Sequence, residues 1–331
     1  MNQDLLIRLF RSIEGEPNED IVKVAEKVIE DEEKKGHQKL AEKLRSILTK
    51  NIQSYSSFKG ELRTLLPKGV VIPTDKRYNI PLASFVDRDH LRHHMILSKE
   101  IESRIHRIEK EYVARERLGH FGLKPRQKIL FHGLPGCGKS MAAERIAWTI
   151  GLPFLKVRFE AVISSYLGES ASNLKKLFES LNHFPCVLLL DEFDFIAKAR
   201  SDRSTDAGEM HRLVNILLNL LEDYHAPGIL VATTNFEGIV DPALFRRFDE
   251  IILLPKPGKD ELLKILHLTL SSVQTSREIN WTGIIEKLKD LSAAIVVKTA
   301  NDAAKLAIVG GKNIVEEQHL LQAIEENRIY N

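Results

Sequence analysis

Cysteine is nearly absent. Only Cys137, inside a glycine-rich stretch, and Cys186, at the head of an apolar run, occur among 331 residues. Their separation fits neither a metal site nor a disulfide framework, so a reducing compartment is expected. Charge of one sign is equally scarce. Against 48 basic residues stand 46 acidic ones, a net charge of +2, which is too small to argue for a nucleic-acid or membrane-surface partner. No apolar run approaches the ~18 residues of a membrane span. The opening MNQDLLIRLF lacks the basic segment and apolar core of a secretion signal. The expectation is a cytoplasmic chain with no membrane insertion. A His-Glu-x-x-His zinc-protease motif, internal repeats and low-complexity tracts are also missing. The remainder, 43% hydrophobic and 28% charged, suits a chain long enough for two or three units that each bury a core.

Apolar spacing divides the chain. Ile21, Val24, Ala25, Val28 and Ile29 fall at helical intervals, and Leu40, Leu44, Ile47 and Leu48 form a second stripe. With MNQDLLIRLFRSI as a first short helix, residues 1–50 read as an N-terminal helical bundle of two or three members. Its dense Lys and Glu make either a solvated face or a docking module. From 51 to 88 periodicity fades around Pro67, Pro73 and Pro81; a linker is assigned to 51–83, with room for a short helix or strand. A long helix is expected over 89–116, ended by LGHFGLKP. Runs at 128–132, 154–159, 186–190, 229–234 and 250–254 alternate with helical patterns and suit buried strands of a parallel sheet. The fold class is α/β, a five-stranded parallel sheet with helices on both faces, forming a large nucleotide-binding domain over 84–257. No strand pattern follows Pro257. Residues 258–331 read as a small α-helical domain, with Asn313 and Glu316 spaced as a capping pair.

Three strand ends carry chemistry. GLPGCGKS, at 133–140, lies between a strand and a helix and matches Gly-x4-Gly-Lys-Ser. Its backbone from Gly133 through Leu134, Pro135, Gly136, Cys137 and Gly138 can wrap phosphates, with Met141 opening the helix behind it. Lys139 should reach the β and γ phosphates, and Ser140 should ligate Mg²⁺. Cys186-Val-Leu-Leu-Leu190 runs into Asp191 and Glu192. Successive strand-end residues face different ways, so Asp191 can address the metal shell through a water, while Glu192 polarises an attacking water. GILVATTN ends in Asn235, a residue suited to orienting that water, to sensing the γ-phosphate or simply to a turn. DPALFRRFDE places Arg246 and Arg247 before the last strand; in isolation such a pair is a surface feature.

GLPGCGKS, LLLDEFD, TTN and DPALFRRFD, in this order and at these separations, resemble the AAA ATPases of the AAA+ superfamily, in the compact single-ring form of some bacterial members. The likeness covers roughly 84–331. It implies an ATPase that uses ATP and Mg²⁺, with Glu192 as catalytic base, Asn235 as polar sensor, and Arg246 or Arg247 as the finger that reaches a neighbouring subunit's γ-phosphate. It implies a ring, commonly a hexamer. Tyr166, Leu167 and Gly168 of SYLGES lie where threading members carry an aromatic pore loop, which would grip a protein client through apolar contacts; packing within a strand-to-helix loop is the plainer reading. His267 matches a position often near adenine or ribose, and a surface or core histidine explains it as well. Ser292-Ala293-Ala294-Ile295 replaces the usual Ser-Gly-Ala-Asp, and Lys298 is a weak stand-in for a second sensor arginine. Leu134 and Cys137 replace the more frequent Pro and Thr; the Cys137 thiol either fills a small space or makes nucleotide binding sensitive to oxidation.

The leading expectation is ATP hydrolysis coupled to remodelling, unfolding or disassembly of a protein client, with a separately encoded protease as a further partner. A DNA-associated loader is the first alternative, disfavoured by the near-neutral charge. A slow nucleotide-gated scaffold is the second, disfavoured by intact Glu192, Asn235, Arg246 and Arg247.

Overall fold

The computed structural model describes residues 28–29, 32–35, 37–38, 40–49, 72–75, 80–163, 169–193, 207–235 and 245–327. The chain divides into two compact units, Met1–Val70 and Val71–Asn331. In the first, Leu40, Ala41, Leu44 and Leu48 of the helical segment 40–49 bury one face together with Ile29, and Val28 and Ile47 pack against them. Leu40, Leu44 and Leu48 of the expected 40/44/47/48 stripe are buried and Ile47 is partly so. Ile21, Val24, Ala25 and the first short helix lie outside the described residues.

The second unit is built on six strands: β1 (Ala83–Val86), β2 (Lys128–His132), β3 (Phe154–Val157), β4 (Val187–Leu190), β5 (Ile229–Thr234) and β6 (Glu250–Leu253). Their order across the sheet is β1-β3-β4-β5-β2-β6. β2 to β6 are mutually parallel, at the five apolar runs of the sequence. Every residue of β4 and β5 is buried, as expected for strands covered on both faces. Ile129, Phe131, Val187, Leu189, Ile229 and Val231 share one cluster with Ile105, Ala142 and Ile146. The alternate residues Leu130, Leu188 and Leu230 are buried as well, so helices cover both sides.

β1 corrects the five-stranded expectation. It adds an antiparallel edge, pairing Ala83 with Val157 and Val86 with Phe154. ASFV holds too few residues for alternation to separate it from the surrounding linker, and an edge strand need not be apolar throughout. The long helix expected over 89–116 is also divided. Arg88–His90 forms a 3₁₀ turn, residues 91–98 carry no helix or strand, and helix α1 occupies Lys99–Val113, followed by α2 (Arg115–His120). Ser98 caps α1 by accepting from the Ile101 N–H, and Glu100 and Glu102 sit in its first turn, where carboxylates favour the helix start. α1 buries Ile101, Ile105, Ile108 and Tyr112 along one face.

Among the described residues, four more helices connect the strands. α3 (Lys139–Ile150) follows β2, α4 (Phe159–Val162) and α5 (Glu169–Ser180) follow β3, and α6 (Ala207–Glu222) precedes β5. Beyond β6 come α7 (Lys259–Thr269), α8 (Trp281–Leu288), α9 (Ala293–Val309) and α10 (Glu317–Asn327). They enclose a second core that includes Leu262, Leu266, Ile284, Leu288, Val296 and Leu320. Two short strands interrupt this helical region, contrary to expectation: β7 (Gln274–Thr275) pairs in parallel with β8 (Ile314–Val315). Two residues each are too few for a periodic signal. The cap of α10 also sits later than expected. The Glu316 N–H donates to Nδ1 of His319, 3.0 Å away, so Glu316 stands at the cap position expected of Asn313 and His319 supplies the returning half expected of Glu316.

α1 and α3 are tied by charge. Arg145 of α3 donates to Glu102, with one contact at 2.7 Å. This bond holds the Glu102 carboxyl below its ordinary range, against the opposing effect of burial. A depressed carboxylate stabilises the fold above the unfolded value of about 4.3 and loses that contribution as pH falls through the folded value. The stability advantage of the native protein over Glu102→Gln is expected at neutral pH and should shrink in acid. Thermal denaturation of both proteins between pH 7 and pH 3 checks this, and a gap independent of pH refutes it.

Candidate active site

Parallel strands deliver their carboxyl ends to one edge of the sheet, and β2, β4 and β5 lie side by side there in the order β4-β5-β2. His132 is level with Thr234, and Leu190 with Ala232. The loop after β2, the acidic pair after β4 and the Thr233-Thr234-Asn235 end of β5 are thereby brought to one place.

The loop's shape is forced by its glycines. Gly133, Gly136 and Gly138 have φ of 135°, 76° and 90°, a region costly to residues bearing a Cβ. A Cβ on Gly133 would lie 2.4 Å from the backbone oxygen of Leu254, and one on Gly136 would lie 2.8 Å from Ser292 Oγ. The second contact reflects a direct tie to α9, since the Ala294 N–H donates to the Gly136 carbonyl at 3.0 Å. α3 starts at Lys139 behind Gly138, and no side chain caps it. Its first N–H groups and its dipole are oriented for an anion. The buried Lys139 ammonium donates to the carbonyls of Gly133 and Leu134 at 2.7 and 2.8 Å, which keeps the charge on the loop.

Asp191 is the meeting point. Its Oδ1 accepts from Ser140 Oγ at 2.8 Å and from Thr233 Oγ1 at 2.6 Å, while its Oδ2 accepts from Lys156 Nζ at 2.7 Å. Burial alone would raise the Asp191 pKa, but bonds from Lys156, Thr233 and Ser140 outweigh it and hold the carboxyl below its ordinary range. Asp191 is thus an anion at neutral pH. Thr233 also shapes the turn that follows. Its Oγ1 accepts from the Glu192 N–H at 3.0 Å, and its carbonyl accepts from the Phe193 N–H at 2.7 Å. These bonds hold Glu192 at a φ of 53°, a left-handed conformation that costs a non-glycine residue about 1–2 kcal/mol. Glu192 is exposed at this turn.

A cavity of about 540 Å³ contains the loop from Pro135 to Met141, Asp191, Glu192, Thr233 and Asn235. The same cavity is lined by apolar Met95, Ile96, Ile265, Leu268, Ala293 and Val297. Phosphate-seeking groups together with apolar ones suit a nucleotide, whose base is planar and largely apolar. Among the described residues no group of three or more His, Cys, Asp or Glu could hold a metal ion. Ser140 and Asp191 are hard oxygen donors of the kind Mg²⁺ shares with substrate phosphates.

Several of these groups have no counterpart among the sequence expectations. Arg92, His94, Met95 and Ile96 come from the stretch where a helix is expected. Ser98, with acidic residues behind it, is the signal that the helix begins later. Arg92 is clasped by the buried Glu144, with contacts of 2.5 to 3.2 Å to its carboxylate. Lys156 carries no motif signal, and Thr233 opens the TTN run with no sign there of its bonds to Asp191 and Glu192. The other expected residues divide. His267 is exposed and lies 4.7 Å from the Trp281 ring, while its neighbours Leu268 and Thr269 line the cavity. Arg246 is exposed, and Arg247 donates to Glu222 at 3.1 Å. Neither arginine lines the cavity. Tyr166, Leu167 and Gly168 lie outside the described residues. Cys137 is buried at the cavity's loop.

Residues 129–256 match the family model described as ATPase family associated with various cellular activities (AAA). The chain is 34% identical over 312 residues to the AAA family ATPase y4kL of Sinorhizobium fredii, covering 93% of this chain and 91% of that protein. It is 27% identical over 236 residues to the proteasome-activating nucleotidase of Methanosarcina mazei, covering 70% of this chain and 56% of that one. Identity is 31% over 218 residues to the ATP-dependent zinc metalloprotease FtsH of Helicobacter pylori, across 63% of this chain and 34% of the relative.

Gly133→Ala is expected to destabilise the protein by about 2 kcal/mol or more, because the strained φ adds to a clash with backbone that cannot swing aside. Chemical denaturation measures this; a midpoint unchanged from the native protein contradicts the account of the loop.

Proposed function

The chain belongs to the AAA family of ATPases, and on that premise we propose that it binds ATP with Mg²⁺ in the cavity beside β2, hydrolyses it, and uses the energy to remodel a protein client as a ring of identical subunits. The observation that carries this reading is the 2.8 Å bond between Ser140 Oγ and Asp191 Oδ1, with Glu192 exposed next to it. A binding loop and an acidic pair at that distance are what hydrolysis requires in addition to binding.

The roles follow from placement. Backbone N–H groups of the Gly133–Gly138 loop and the start of α3 hold the phosphates, with Lys139 turning its charge onto them. Ser140 and Asp191 are the residues that would hold Mg²⁺, the latter through water, and the ion supplies neutralisation of charge on the phosphate oxygens. Glu192 accepts the proton of the attacking water, and Asn235, on the same cavity, orients that water. Met95, Ile96, Ile265, Leu268 and Val297 take the base. We assign the finger in trans to Arg246, because it is exposed while Arg247 is engaged by Glu222 of its own chain. A group outside its own cavity can serve only a neighbour's, so a ring follows from this assignment, and a hexamer is the proposed form. A protein client is supported by the names of the relatives, a proteasome-activating nucleotidase and an ATP-dependent metalloprotease. Tyr166, Leu167 and Gly168 are proposed to grip that client. No helix of the described residues is long and apolar enough to cross a membrane.

Glu192→Gln is expected to keep ATP affinity and to lower turnover by about 100-fold or more, leaving an assembled ring in ATP; Lys139→Ala should lose ATP binding. Radiolabelled ATP binding, phosphate release and light scattering read these outcomes, and near-native phosphate release by Glu192→Gln removes the catalytic assignment. Tyr166→Ala should spare basal ATPase while abolishing processing of proteins captured by the Glu192→Gln ring. Undiminished processing would remove the threading role.

A further inference from the structure

Lys156 stands out of the sheet on β3, exposed between buried Leu155 and Val157. Its ammonium donates to Asp191 Oδ2 at 2.7 Å, and its side chain is 46% exposed against 15% for that of Asp191. The two oxygens of Asp191 are therefore divided. Neutral hydroxyls of Ser140 and Thr233 occupy Oδ1, and a full positive charge occupies Oδ2. Ser140 and Thr233 suffice to orient the carboxylate, so the lysine adds something other than orientation. Its effect is on charge: with Lys156 in place, the pair sums to zero.

We propose that Lys156 sets the metal affinity of the site by sharing the Asp191 carboxylate with the ion. This rests on the reading of the cavity as a Mg²⁺-nucleotide site. Affinity for a hard divalent cation rises with the negative charge of its ligands. A divalent ion that reaches Ser140 and Asp191 meets a carboxylate already compensated by Lys156, so the protein alone holds it weakly and the phosphates supply most of the binding. Metal then arrives and leaves with the nucleotide. Lys156 acts through Asp191 and is a positioning residue for the charge of the site; it makes no contact with reacting atoms.

The test uses the full chain and a fluorescent ADP analogue, titrated with MgCl₂ after chelation by EDTA. Lys156→Met keeps the apolar stem and removes the charge. Its half-saturating Mg²⁺ concentration should fall about tenfold, the scale of one unit charge acting near water-like screening, and metal-dependent ADP release should slow accordingly. Affinity for the analogue in EDTA should stay within about twofold of native, which also reports that the variant is folded. Lys156→Gln should behave as Lys156→Met, and Lys156→Arg as the native protein. The difference between Lys156→Met and native should narrow in high salt, because screening weakens the charge effect. An unchanged or raised half-saturating Mg²⁺ concentration in Lys156→Met, or a fall of equal size in Lys156→Arg, overturns the proposal. Failure of the native protein to bind the analogue at all would instead overturn the nucleotide-site reading.

Discussion

The carboxylate of Asp191 holds the site together. Three separate pieces of chain converge on it: Ser140 from the first turn of α3, Thr233 from β5 and Lys156 from β3. A buried anion is expensive unless its hydrogen-bonding capacity is filled, so these contacts specify the relative heights of β2, β3, β4 and β5 at the carboxyl edge. A one-residue slip of β4 would turn Asp191 to the opposite face and break all of them together. The side chain proposed to meet the metal thus also fixes the strand ends around it.

Thr233 extends that constraint to the residue beside it. By accepting the Glu192 N–H on its hydroxyl and the Phe193 N–H on its carbonyl, it holds a turn that Glu192 would not choose alone. Strain of this kind persists only where surrounding bonds over-determine it. Here the result is a division of labour between adjacent carboxylates. Asp191 is largely buried, bonded and held ionised, whereas Glu192 is exposed at the cavity. Gly136 links the same edge to the helical region, since the bond from Ala294 and the Ser292 side chain seated against it leave no space for a Cβ. Any rearrangement of the loop around phosphates is therefore felt directly at the start of α9, a physical route from nucleotide to the second core.

Most of the framework is legible because it is written in contiguous residues. Five strands appear as short runs rich in Ile, Leu, Val and Phe, and the loop at 133–140 declares itself through glycines followed by Lys139 and Ser140. The departures share a cause. β1, β7 and β8 are too short to show a period, and residues 91–98 contain Leu91, Met95, Ile96 and Leu97 at spacings that a helix would also use. Ser98 is the local clue against it. The cap of α10 moves from the expected Asn313 and Glu316 to Glu316 and His319 because the bond depends on where the chain actually turns.

Fold class, phosphate loop, acidic pair and their order along the chain all follow from the order of amino acids, since each depends on short-range pattern and local backbone chemistry. What each strand end meets follows only from the folded chain. Lys156 lies 35 residues from Asp191 and belongs to no motif, and Thr233, although it opens the TTN run, lies 42 residues from it. The apolar lining formed by Met95, Ile96, Ile265, Leu268 and Val297 is assembled from three distant segments. Both cases have one origin: neighbours in the sheet and across the cavity are aligned by parallel pairing and packing, and separation along the chain carries no trace of that alignment.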